Sequence, residues 1–213
     1  EIGSGLVGSE MCIRDRCYTI VTSNLIKIVS SRNRKRLRKE AYMLRMRFGL
    51  DKVKKFPVVE FLELVMPQID EEFTLVLVED DELMGRAAET IPVEHMIRVK
   101  QSVYDAACQG SYWARTVMAH ELGHYVLHGE DTVAYAHEAP GERVPDDINA
   151  ERQADIFAAE LLAPVHLVDE TSDYLVSKHF GITRGMARSQ MNQVRRVQKR
   201  HQRKHQRKKK ENG

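Results

Sequence analysis

The residues best placed to do chemistry lie in His120-Glu121-Leu122-Gly123-His124. Positions four apart share one face of a helix, so two imidazole nitrogens can aim at one ion. Glu121 sits one position round the helix, where it can hold a water bound to that ion. Downstream, Ala150-Glu151-Arg152-Gln153-Ala154-Asp155 offers Glu151 as a carboxylate third ligand on a second helical segment. The bare His-Glu-x-x-His pattern would arise by chance in about one chain in thirty of this composition, so its surroundings matter. Ala119 and Gly123 are small and let other groups approach the helix.

The residue types fit catalytic zinc. Such an ion takes three protein ligands, at ~2.0–2.2 Å for N and O donors, and leaves a fourth position for water. Two neutral imidazoles and one carboxylate leave positive charge on the metal, which acidifies the water and polarises a peptide carbonyl. Glu121 would take the water's proton and pass it to the leaving amine. Asp155, one turn after Glu151, could accept the free N–H of a ligand histidine and fix its tautomer. A structural zinc site is usually closed by four ligands and rich in Cys. Here the nearest Cys, Cys108, lies twelve residues before His120, and no fourth ligand is evident.

Residues 115–128, from Arg115 through His-Glu-Leu-Gly-His to His128, resemble the active-site helix of ImmA/IrrE-type metallopeptidases. Residues 151–164, reading Glu-Arg-Gln-Ala-Asp-Ile-Phe-Ala-Ala-Glu-Leu-Leu-Ala-Pro, are similar to that family's second block, including its spacing from the first. The resemblance spans about residues 40–193. It implies a small gluzincin-like domain with zinc on His120, His124 and Glu151 and with Glu121 as base. It also implies a partner protein as substrate, often a helix-turn-helix repressor encoded nearby. The match is weak before Met84 and lapses in the loop from Gly129 to Asp147.

The elements that must position these residues follow from periodicity. Residues 32–48 form a basic helix, with Leu37, Ala41, Leu44 and Phe48 at helical spacing and Gly49 as its C-cap. A second helix starts at Pro57, with Val58, Phe61, Leu62 and Val65 inward, and stops near Pro67. Residues 73–78 and 96–103 read as strands. Residues 97–104 are the candidate edge strand beside the site. Residues 112–128 form the metal helix, with Trp113, Val117, His124 and Leu127 inward. Residues 129–147, with two prolines and six acidic residues, form a loop at the cleft rim. Residues 149–162 form the third-ligand helix, with Ile156, Phe157, Leu161 and Leu162 in the core. Glu160 has a structural role. Around Phe180-Gly181-Ile182-Thr183, two more helices form either a helix-turn-helix or a hairpin packed under the catalytic helices. The expected fold is α+β: a mostly helical zincin-like domain over residues 32–170, a small sheet, and a helical extension over residues 171–194.

Composition sets further bounds. The net charge of +2 conceals an asymmetry: residues 195–211 hold ten Lys/Arg against one Glu, +9, which leaves −7 elsewhere. With no apolar residue after Val197, residues 195–213 read as a disordered basic tail capable of weak, non-specific nucleic-acid contact. The Arg32–Lys39 cluster is a second basic face. Residues 6–16 read as a translated sequencing adapter, which takes residues 1–16 out of the fold and leaves 17–31 uncertain. Cys17 and Cys108 form no close pair, which fits a reducing cytoplasm. No apolar run reaches the ~18 residues of a membrane span.

The remaining histidines have bland readings. His128 reads as a capping or packing residue. One of His137, His166, His179 or Tyr125 could stabilise the oxyanion of a tetrahedral intermediate. Two functions compete: a zinc endopeptidase, and a regulatory protein that binds a repressor or nucleic acid without cutting it. An intact Glu121 favours the first, since a binder has no use for that base.

Overall fold

Asn33 caps the first helix of the fold by accepting the backbone N–H of Arg36. The computed structural model describes residues 25–129, 134–137, 143–169 and 171–211; the adapter-like segment lies outside them. In chain order, strand β1 (Leu25–Ile28) precedes helix α1 (Arg34–Arg47), which buries Leu37 and Ala41. Next come α2 (Val58–Glu60), a π turn (Phe61–Val65) and α3 (Met66–Ile69). The helix expected to stop near Pro67 instead runs through it. Proline lacks an N–H, and its ring crowds the carbonyl four residues back. The wider π turn, with Met66 N–H on the Phe61 carbonyl, accommodates the ring.

Strands β2 (Thr74–Val78), β3 (Ala88–Ile91) and β4 (Met96–Lys100) form a sheet of order β2-β4-β3. β2 runs parallel to β4, and β3 runs antiparallel to it. The candidate edge strand is therefore corrected. β4 is central, residues 101–104 belong to helix α4 (Gln101–Cys108), and the edge beside the candidate metal helix is β3. Residues 88–91 carry only Thr and Ile as strong strand formers, so their pairing comes from β4 rather than from local preference.

Helix α5 (Tyr112–His128) starts at Ser111, whose hydroxyl accepts the Ala114 N–H. β5 (Ala134–His137) follows, then α6 (Ala150–Leu162), capped by Asn149. The segment expected to be all loop thus contains a strand, β5, paired antiparallel with β1. Helix α7 (Asp173–Phe180) ends at Gly181 with φ +64°, a left-handed cap that favours glycine. Helix α8 (Arg184–Glu211) closes the described chain. The described part of the basic tail, residues 195–211, continues this helix. Gln, Lys and Arg are good helix formers, no Gly or Pro interrupts them, and the packed start of α8 supplies the nucleus.

The fold is α+β, mostly helical with a small mixed sheet. Phe56, Phe61, Leu62, Met118, Leu122, Phe157, Leu161 and Phe180 are fully buried between α1, α5, α6 and the α2–α3 segment. Trp113 faces solvent instead of the core; Ala114 and Met118 take the inward positions. The α7–α8 hairpin packs beneath α6, where Gln190 donates to the carbonyls of Ala159 and Ala163. Arg115 ties the hairpin turn to α5 by donating to the carbonyls of Gly181 and Phe56. Among the described residues, no helix is long and apolar enough to cross a membrane.

Candidate metal centre

Helices α5 and α6 approach closely enough for side chains from one to reach the other because a glycine lies at the crossing. A Cβ at Gly123 would stand 3.2 Å from the Ala154 backbone and 3.3 Å from the Phe157 ring. With that spacing, His120 and His124 on α5 meet Glu151 on α6. His120 Nε2 lies 3.2 Å from Glu151 Oε2 and 3.0 Å from His124 Nε2. His124 Nε2 lies 3.4 Å from Glu151 Oε1. Ligands bound at ~2.1 Å on a tetrahedron stand about 3.4 Å apart, so this triad has the spacing of a zinc cradle. The imidazoles are largely covered, while Glu151 reaches solvent.

Each histidine is held from behind. Asp155 Oδ1 lies 3.1 Å from His120 Nδ1, and Arg152 anchors the other carboxylate oxygen at 3.0 Å. Burial opposes a charged His120 ring, but the hydrogen bonds to Asp155 and Glu151 outweigh it and raise its pKa to about 10. The same contacts, first from His120 and then from His124, hold the Glu151 carboxyl well below the usual carboxylate range.

Behind His124 stands His128, the residue read from sequence as capping or packing. It is buried, its Nδ1 lies 3.2 Å from His124 Nδ1, and its Nε2 lies 3.2 Å from Gln153 Oε1. Burial is the main reason its pKa falls to about 4, against the opposing hydrogen bond to Gln153.

Glu121 is buried, on the side of α5 that faces β3. The Thr90 hydroxyl lies 2.7 Å from its Oε2 and 3.0 Å from its backbone carbonyl. Sequence reasoning missed Thr90 because it missed β3, and a lone Thr carries no motif.

The other candidates lie elsewhere. Tyr125 donates to Asp70, and His166 contacts the Asp51 carbonyl and packs edge-on to Tyr42. The His137 side chain lies outside the described residues. Glu160 is structural, fully buried and bridged by Arg38 through both oxygens. A second cluster, Asp70, Glu72 and His95, also gathers ligand-type groups. There, opposite ring nitrogens of His95 face separate carboxylates, Nδ1 to Asp70 at 2.7 Å and Nε2 to Glu72 at 3.3 Å, as in an ion-pair cluster.

Residues 103–192 match the family model of the IrrE N-terminal-like domain, a peptidase family. The resemblance read from the sequence is to this family. No curated protein matches the chain significantly. The IrrE-like segment contains α5 and α6 whole, and with them the entire His120, His124 and Glu151 triad. The family is of the metallopeptidase type, which implies a protein substrate and a metal-dependent reaction.

Proposed function

We propose that this chain is a zinc-dependent endopeptidase that hydrolyses a partner protein, with a helix-turn-helix repressor as the favoured substrate class. The supporting observation is the convergence of His120, His124 and Glu151, whose ligand atoms all lie within 4.8 Å of one another beside a buried Glu121. His120 and His124 would hold zinc through Nε2, and Glu151 would hold it through its carboxylate. When bound, zinc supplies a Lewis acid that polarises the scissile carbonyl and acidifies water.

The chain's own residues do the rest. Glu121 takes the proton from the attacking water at its carboxylate and delivers it to the leaving nitrogen. Thr90 restrains that carboxylate by hydrogen bonding, so the base is oriented before substrate arrives. Asp155 accepts the Nδ1 proton of His120 and leaves Nε2 free for the ion. Residues 32–170 would form the catalytic unit, with residues 171–194 as a structural support under α6. The cytoplasm, where repressors act, is the proposed compartment.

Zinc content and cleavage of a helix-turn-helix repressor, taken from the neighbouring open reading frame where that frame encodes one, test this reading. About one zinc per chain and cleavage that stops on chelation and returns with zinc are expected. A chain that holds no zinc, or cleavage that survives chelation, would refute it.

A further inference from the structure

The proton on His124 can be placed by following hydrogen bonds inward from groups whose roles are beyond choice. Gln153 is fully buried, with four partners. One end of its amide faces two backbone carbonyls, Ser30 at 2.9 Å and Asp147 at 2.7 Å. Carbonyls only accept, so that end is the NH2 group. The other end faces the Arg32 guanidinium at 3.4 Å, which only donates, so that end is the oxygen. His128 Nε2 lies on this oxygen at 3.2 Å and must carry a hydrogen to bond it.

His128 is 2 % exposed, and among the described residues no carboxylate contacts its ring; its neighbours are Gln153 and His124. A charged imidazole there would be buried without a counter-ion, so the ring is neutral. A neutral ring with its hydrogen on Nε2 has a bare Nδ1. That Nδ1 faces His124 Nδ1 at 3.2 Å, so His124 is the donor and carries its hydrogen on Nδ1. In a neutral His124, Nε2 is then the atom with the free lone pair, and it points at His120 Nε2 and Glu151.

We infer that His128 and Gln153 are positioning residues that lock His124 in its Nδ1-protonated tautomer and present Nε2 to the cation. The purpose of the lock rests on the metallopeptidase reading; the lock itself does not. Its far end is the backbone rather than another side chain. Ser30 and Asp147 belong to two segments joined by backbone bonds, Val29 N–H to Ile148 O at 2.9 Å and Arg32 N–H to Asp147 O at 2.7 Å. The segment after β1 and the entry to α6 thus set the state of a ligand on α5. Helix α6 governs all three ligands: it supplies Glu151, it orients His120 through Asp155, and it orients His124 through Gln153 and His128.

The test reads the tautomer directly. The full chain is labelled with 15N-histidine, stripped of metal and held near pH 8, and two-bond 1H–15N spectra assign the proton on His124. A proton on Nδ1 is expected. A proton on Nε2, or averaging between the two, overturns the inference, and no variant has to fold for this result to count. Zinc affinity, measured by competition with a chromophoric chelator, adds a second readout. His128→Asn keeps an acceptor where Nδ1 stood and should bind within about threefold of wild type, while His128→Leu should bind about 10–100-fold more weakly. Equal affinities for wild type, Asn and Leu, or equal losses in Asn and Leu, would also overturn it. A wild-type chain with the Nδ1 proton that takes up no zinc upholds the lock and removes the peptidase reading. Zinc uptake with the proton on Nε2 does the reverse.

Discussion

Gly123 of α5 lies against Ala154 of α6: a Cβ on Gly123 would lie 3.2 Å from both the Cα and the carbonyl oxygen of Ala154. Both atoms are backbone and cannot swing aside. The separation of α5 from α6 is therefore set by the missing side chain at 123, and the reach of Glu151 and Asp155 to the histidines follows from it.

Gly123→Ala sets two effects against each other. Helix propensity favours Ala by about 1 kcal/mol. Overpacking against fixed backbone costs about 1–3 kcal/mol. The expected result is a net loss of stability in thermal unfolding, with zinc affinity down by about tenfold as α6 is pushed away. A variant that is more stable than wild type and binds zinc equally well would show that α6 relaxes freely.

Glu121→Gln separates chemistry from metal binding. The amide cannot take the water's proton, so cleavage should fall by about 10²–10⁴-fold while zinc content and fold remain. His124→Ala should lose both metal and cleavage. Wild-type cleavage by Glu121→Gln would remove Glu121 from the mechanism.

Glu160→Ala tests the ion pair between α1 and α6. The carboxylate is fully buried, Arg38 grips both of its oxygens, and Arg34 lies 3.9 Å away. Removing it leaves two guanidinium groups without their anion. The expected cost is about 3 kcal/mol, at the low end for a broken buried pair because Arg38 is partly hydrated. Denaturant unfolding measures it, and a loss below about 1 kcal/mol would mean that water replaces the carboxylate.

The Asp70–His95 pair predicts a pH dependence of stability. The hydrogen bond to Asp70 is the main cause of His95's raised pKa, and the Tyr125 and His95 hydrogen bonds lower that of Asp70. A raised histidine stabilises fully below its unfolded value of 6.5, and the effect is lost as pH rises through the folded value. A lowered carboxylate stabilises above its unfolded value of 3.8, and the effect is lost as pH falls through the folded value. The Tm difference between wild type and His95→Gln should therefore be widest between about pH 4 and 6 and shrink at alkaline pH. A difference that stays constant to pH 9 would exclude the pair as its source.

The last seventeen residues of α8 hold ten Lys/Arg and one Glu. Full-length protein should bind duplex DNA without sequence preference, with affinity falling steeply as salt rises, and a chain ending at residue 194 should bind much less. Cleavage should survive the truncation, since no proposed catalytic residue lies there. Equal DNA binding by both chains would shift the contact to the Arg32–Lys39 cluster.

Much of the proposed triad's convergence was legible because helix periodicity is local. The spacing of His120 from His124 places both on one face wherever the helix lies, and Glu151 and Asp155 sit one turn apart for the same reason. Capping residues Asn33, Ser111 and Asn149 likewise act within a few positions of themselves. What the sequence could not show depends on partners distant in the chain. β3 pairs only because β4 is there, so Thr90 and its grip on Glu121 stayed hidden. Trp113 looked inward by spacing, yet the inward arc of α5 was decided by where α6 and the α2–α3 segment lie. The partner of His128 was beyond reach from sequence. A histidine one turn past a ligand reads as a cap until Gln153, Ser30, Asp147 and Arg32 fold around it. Hydrogen-bond direction is a property of the closed network: each donor is assigned only when its acceptor is in place, and only tertiary structure brings these five residues together.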